Sequence, residues 1–248
     1  MNTELFFLRL RKIFVVFTNI KYFNSFLKVG ITPSIEHQNL FKDYKFNKLI
    51  DVGGNIGQFS LFASQKNINK ILIFEPIISC TKKIRKIFKN DKNIKIFNYA
   101  LGNKKTIKKI YITNKIDSSS FFKPSSLLQK ELKIHSNHTE KVKIFRADEI
   151  LNKELKTDKI LLKIDTQGYE LEVLKGFGKK ISSIYAIYCE CSYIKMYQCQ
   201  PVFKDIEQYL NNKNFYLEKI YNKSFLGNKK LFQADFLFLN KNLSTKIK

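Results

Sequence analysis

Residues Lys48 to Ala63 read "KLIDVGGNIGQFSLFA": a short apolar run, an acid, three glycines within five positions, and then an amphipathic stretch. An apolar run of this length suits a strand, clustered glycines suit a tight turn, and the amphipathic stretch suits a helix. Strand, turn and helix in that order form the repeating unit of parallel α/β sheets. The turn is also where such units receive a polar ligand, since the helix that follows presents free N–H groups.

The same alternation runs through the chain. "KILIFEP" reads as a second strand, stopped by Pro76, and "CTKKIRKIFKN" as a helix; "NIKIFNYALG" and "KIYITN" read as third and fourth strands. A polar segment, "DSSSFFKPSSLLQKELKIHSNHTEK", is long enough to be a functional loop or lid. "KVKIFRADEIL" leads from a strand into a short helix, and "KILLKIDTQGYELEVLKGFG" is again strand, turn and helix. "SIYAIYCECS" and "PVFKDIEQYLNNKN" add a strand and a helix, before two strand-like runs, "FYLEKIYN" and "ADFLFLN", close the chain. The expectation is a mostly parallel sheet with helices on both faces and an antiparallel hairpin at one edge. Ligands then bind beyond the carboxyl ends of the strands.

A chain of 248 residues suits one large domain. Its divisions are an N-terminal amphipathic helix with its connector (1–44), the main domain (45–240) and a basic tail (241–248). Phe6, Leu10, Phe14 and Phe17 recur at helical spacing among Arg9, Arg11 and Lys12. This stripe suits a helix docked on the domain, with peripheral contact to an anionic membrane through residues 4–20 as the other reading. The interrupting basic residues and the lack of a small-residue cleavage site argue against a signal peptide. The net charge of +24 is no nucleic-acid signature, because only four of the 45 basic residues are arginine and the lysines are scattered. Cys80, Cys189, Cys191 and Cys199 form no CxxC pair, which suits reduced, buried thiols in a cytoplasmic protein and no metal site.

The turn is not that of a dinucleotide fold. A G-x-G-x-x-G pattern counted from Gly53 meets Asn55 and Gln58, and no phosphate-loop G-K-[ST] follows. What remains is D-x-G-x-N-x-G, Asp51 to Gly57, with Glu75 at the end of the next strand, where a carboxylate can accept two hydrogen bonds from a ribose diol. This combination resembles the S-adenosylmethionine site of the seven-stranded, Rossmann-like class I methyltransferases. "LLKIDTQGYELEVLKG" further resembles the signature of the FkbM methyltransferases, and "LIDVGGNIGQFSLFA", "FEP", "NYALG", "DSSSFF" and "QADFLFLN" follow the family in order. One departure is Gly54, where the family usually has Ala.

The resemblance implies an S-adenosylmethionine-dependent O-methyltransferase acting on the hydroxyl of a sugar, glycan or other secondary metabolite. Its implied cofactor residues are Asp51, Gly53, Gly54, Asn55, Gly57, Glu75, Asn98 and Ala100. Transfer to a hydroxyl needs a base at the carboxyl edge, and Asp165 and Glu190 end neighbouring strands there; either is base or substrate anchor. Glu170 suits the dipole of the helix it opens. His135 and His138 lie in the expected lid, and His37 just ahead of the first strand. "IDTQGY" stands where base N-methyltransferases carry [DN]-P-P-[YF], which argues against nucleobases. Ribose methylation of RNA and an inactive cofactor-binding relic are the alternatives.

Overall fold

In the computed structural model, which describes residues 3–151, 153–155, 159–227 and 230–244, ten strands follow one another along the chain. They are β1 (Lys48–Val52), β2 (Lys70–Phe74), β3 (Ile94–Phe97), β4 (Ala100–Leu101), β5 (Thr106–Thr113), β6 (Ser136–Phe145), β7 (Ile160–Ile164), β8 (Ala186–Ser192), β9 (Phe215–Leu226) and β10 (Lys230–Asn240). Seven form one sheet in the order β3-β2-β1-β7-β8-β10-β9, and β4, β6 and β5 form a second. In the large sheet only β10 runs against the rest, pairing antiparallel with β8 and β9. This is the Rossmann-like architecture expected, with its C-terminal hairpin at one edge.

The central strands are apolar because both of their faces are covered: all five residues of β1 and of β7 are buried. Three ionisable residues break that rule: Lys48 opens β1, and Asp51 and Lys163 are direct register partners on β1 and β7. The sheet grows from β1 through β2 to β3 on one side and through β7 to β8 on the other. The reversal between β1 and β7 opens a crevice at their carboxyl ends.

Three expectations need correction. The third strand breaks after Phe97, because the Asn98 amide turns back to donate to the Glu75 and Pro76 carbonyls and the Thr81 hydroxyl. "KIYITN" leaves the main sheet to pair with β6. The polar segment is no structureless lid: it contains a helix, Ser126–Leu132, capped by the Ser125 hydroxyl, and then enters β6. His138 therefore sits on an exposed strand, 3.4 Å from Glu140, rather than over a ligand.

The N-terminal region holds two helices, Thr3–Val16 and Ile20–Val29, where one was expected. Asn19 separates them by capping the second through its side chain, and Gly30 ends it with a left-handed φ of 68°. Their inner side joins the core through Val16 and Tyr22. The outer side carries Leu10, Phe14 and Phe17, so most of the stripe expected to dock faces away from the domain; the Phe6 side chain lies outside the described residues. The tail opens with a short helix, Lys241–Ser244, and residues 245–248 lie outside the described part. Cys80, Cys189 and Cys191 are buried free thiols, but Cys199 is exposed.

Candidate active site

The loops after β1, β2 and β7, with Glu190 of β8, the segments at 34–37 and 116–121, and the terminal hairpin, enclose a cavity of about 440 Å³ at the switch point, within the size range of ligand sites. Gly53, Gly54, Asn55, Glu75, Ala100, Asp165 and Glu190 line it. Asp51, Gly57 and Asn98 do not touch it; they shape the residues that do.

The glycine turn answers first to the protein's own packing. A Cβ on Gly53 would lie 1.8 Å from the Asp165 carbonyl oxygen, so β7 can approach β1 only at a glycine. A Cβ on Gly54 would lie 2.4 Å from Ile73 Cγ2, so an alanine there would force β2 to shift. Gly57 opens the helix Gln58–Ala63 at φ 90°, a left-handed conformation costly for other residues. Asn55, also left-handed at φ 46°, donates its backbone N–H to Glu75 Oε2 at 2.8 Å. Glu75 Oε1 accepts from the Ile77 N–H at 2.8 Å, so this one carboxylate braces the loops after β1 and β2. Burial pushes its pKa up to about 7.

Lys163 joins the two central strands. Its Nζ donates to the Gly53 carbonyl at 3.0 Å and lies 3.3 Å from Asp51 Oδ1 and 3.5 Å from Asp165 Oδ2. The other Asp51 oxygen accepts from the Ser60 hydroxyl at 2.6 Å. Asp51 is thus wholly buried in a structural ion pair. The Asp165 side chain remains 35% exposed, toward the cavity. Burial works against its charge, but Lys163 and the Gln167 amide together hold its pKa below the usual value.

Gln167 adopts a left-handed φ of 54°, a costly conformation for a non-glycine residue. Its Nε2 donates to Asp165 Oδ1 at 2.8 Å and to Glu190 Oε2 at 2.7 Å, bridging the two acids. Ser120 fixes the same loop by donating to the Gln167 carbonyl at 2.5 Å, and Tyr197 donates to the Gln167 side-chain oxygen. Burial and the neighbouring Asp165 raise the Glu190 pKa well above normal. Of the pair, Glu190 therefore holds a proton more tightly than Asp165. Glu170, expected to complement a helix dipole, instead closes the loop: its Oε1 accepts from Thr166 N, Thr166 Oγ1 and Gly168 N.

A second polar cluster faces the dyad. His37 Nδ1 lies 3.0 Å from the Tyr188 hydroxyl, which donates to Asp235 Oδ2 at 2.8 Å; Asn222 donates to the same oxygen at 2.8 Å. Phe59 packs edge-on against the imidazole at 4.9 Å, and burial lowers its pKa, so His37 is neutral. His37, Asn222 and Asp235 line the cavity. Asp235 and Lys163 carried a usable signal, being lone charges within apolar strands, where an unpaired charge is almost never buried. Asn222 and Tyr188 carried none. Among the described residues, no group of three His, Cys, Asp or Glu side chains is arranged to hold a metal ion.

The family model for the methyltransferase FkbM domain matches residues 51–217, two-thirds of the chain. The chain belongs to the FkbM methyltransferase family. Among curated proteins none matches. Solved structures similar to this FkbM methyltransferase include a putative RNA methyltransferase from Pyrococcus horikoshii (10% identity, TM-score 0.42, covering 84% of this chain and 83% of that one). A ribosomal protein L11 methylase from Lactobacillus delbrueckii subsp. bulgaricus is alike at 10% identity and TM-score 0.45, covering 83% and 77%. A putative methylase from Haemophilus influenzae has 10% identity and TM-score 0.43, covering 85% and 93%. Likeness this remote says nothing of the acceptor.

Proposed function

We propose that this methyltransferase uses S-adenosylmethionine to methylate a hydroxyl group of a sugar or glycan. The observation that carries this reading is Asp165: an anionic carboxylate held by Lys163, partly open to the cavity, one strand from the glycine turn.

The donor set fits the cofactor. Glu75 would accept from its ribose hydroxyls, since each oxygen spends one lone pair on a backbone N–H and keeps another. Ile77, Ala100 and Leu101 would form an apolar wall for the base. When bound, the cofactor supplies a methyl group carried on a sulfonium sulfur. The chain's own residues then align the acceptor oxygen and take up its proton. Asp165 accepts that proton as the new bond forms. Glu190, holding its own proton, donates a hydrogen bond that orients the acceptor. Gln167 fixes the spacing between the two.

Six carboxyl groups and one lysine line the cavity among the described residues. That lining repels a phosphate backbone and suits a neutral hydroxyl, which favours glycan over RNA ribose. A labelled-methyl transfer assay against a panel of sugars and glycans, with RNA beside it, tests this reading. Label in a glycan hydroxyl is expected; label in RNA alone would overturn it.

A further inference from the structure

The helix Thr3–Val16 and the residue after it carry apolar side chains both toward the core and toward the outside, with Arg9, Arg11 and Lys12 among them in sequence. Leu8, Val15 and Val16 pack inward, whereas Leu10, Ile13, Phe14 and Phe17 point outward, with Phe14 71% and Phe17 68% exposed. The second helix continues the outer patch with Ile20 and Leu27, 73% and 65% exposed. Exposed apolar side chains interleaved with basic ones are the composition of a helix that rests in a membrane interface. Here the core covers one side only. Lys12 pairs with Glu36 at 2.9 Å and Lys21 with Asp91 at 2.7 Å, fixing both helices to the domain with that patch outward. Beside the patch lies a shallow groove lined by Lys28, Lys89 and Lys92, an anion-attracting rim next to an apolar surface.

We propose that the two N-terminal helices form a docking surface for a membrane rich in anionic phospholipid. The apolar side chains enter the boundary between headgroups and acyl chains, and the lysine rim meets the phosphates. At 14 residues the first helix is too short to cross a bilayer, and none of the described helices is long and apolar enough to do so. The helices therefore lie in the plane of the surface. Charge complementarity selects this occupant over a second copy of the chain, whose +24 charge would repel its twin. The surface stands apart from the chemistry proposed for the cavity, so neither reading depends on the other.

Sedimentation of the full chain with vesicles tests this directly, using equal parts phosphatidylglycerol and phosphatidylcholine against phosphatidylcholine alone. The chain is expected to pellet with the anionic vesicles and to release as salt rises from about 0.1 to about 0.5 M. Phe14→Glu with Phe17→Glu should weaken partition by at least about tenfold. Lys28→Gln and Lys89→Gln should each weaken it by about fivefold. Because these side chains are exposed, the melting temperature of each variant should match wild type. No binding to the anionic vesicles, equal binding to both kinds, or binding unchanged by the Phe14→Glu/Phe17→Glu pair would overturn the proposal. So would a dimer, seen by analytical ultracentrifugation in place of vesicle binding, that the same pair dissociates; the patch would then belong to a second copy.

Discussion

The two ends of the cavity are built in different ways. The end proposed to hold the cofactor comes from one stretch of chain, Asp51 to Ala100, whose loops are closed by backbone donors on a single carboxylate, Glu75. The acceptor end draws on distant segments: His37 ahead of the sheet, Asp165 and Gln167 after β7, Glu190 on β8, and Asn222 and Asp235 on the terminal hairpin. The first end is contiguous in the chain, although its glycines are also held by contacts with Asp165 and Ile73 on the neighbouring strands. The second is assembled only when the sheet closes, and its identity can change with each segment that contributes. The difference predicts that substitutions at the two ends separate binding from turnover.

The largest expected effect is on the acceptor side. Asp165→Asn keeps the shape of the side chain but cannot take a proton, so turnover should fall by about 10²- to 10⁴-fold. Affinity for S-adenosylhomocysteine should hardly change. Measuring kcat and cofactor Kd on one preparation checks both. If Asp165→Asn keeps near-wild-type turnover and Glu190→Gln loses it, the base lies one strand further along.

Next comes Glu75→Ala. Loss of a charged hydrogen bond costs roughly 1.5–3 kcal/mol, about 10- to 150-fold in cofactor affinity. The same change strands the Asn55 and Ile77 N–H groups, so the melting temperature should fall while a cooperative transition survives. Unaltered cofactor affinity with a collapsed fold would make Glu75 a brace alone, and would erase the proposed division between the two ends.

The smallest effect is one of stability against pH. Burial pushes Glu170 from its ordinary value of 4.5 up to about 7. The folded chain therefore holds this proton more tightly than the unfolded chain, and stability is lost as pH rises from about 4.5 through about 7. Glu75 acts in the same direction, whereas His37, with its lowered pKa, opposes both. Glutamine at 170 can still accept all three hydrogen bonds through its one oxygen and does not titrate. Glu170→Gln should flatten the slope and raise the melting temperature near pH 7.5 by about 2–4 °C per kcal/mol recovered. A slope as steep as wild type would show that the Glu170 pKa is not raised.

The strand–helix alternation, the hairpin and the placing of Asp165 beside β1 were legible because they rest on periodicity and on chain order alone. The bonds of the Asn98 side chain to the loop after β2 are not legible, because periodicity does not register such a role. Gly53 and Gly54 line the cavity, and they also pack against Asp165 and Ile73, contacts between strands that no local pattern reveals. Lys163 went unnoticed although a lone lysine in "ILLKI", facing a lone aspartate in "KLIDV", is how a buried ion pair looks in sequence. His37 and Asn222 meet across 185 residues, and only the closed sheet brings them together.

The central claim is that the cavity at the β1–β7 switch binds S-adenosylmethionine through Glu75 and does not bind a dinucleotide. Titration calorimetry of the full chain with S-adenosylhomocysteine, and separately with NAD, tests it most directly. One-to-one binding of S-adenosylhomocysteine, weakened in Glu75→Ala, with no heat from NAD, is the expected result. Heat from NAD and none from S-adenosylhomocysteine would contradict it.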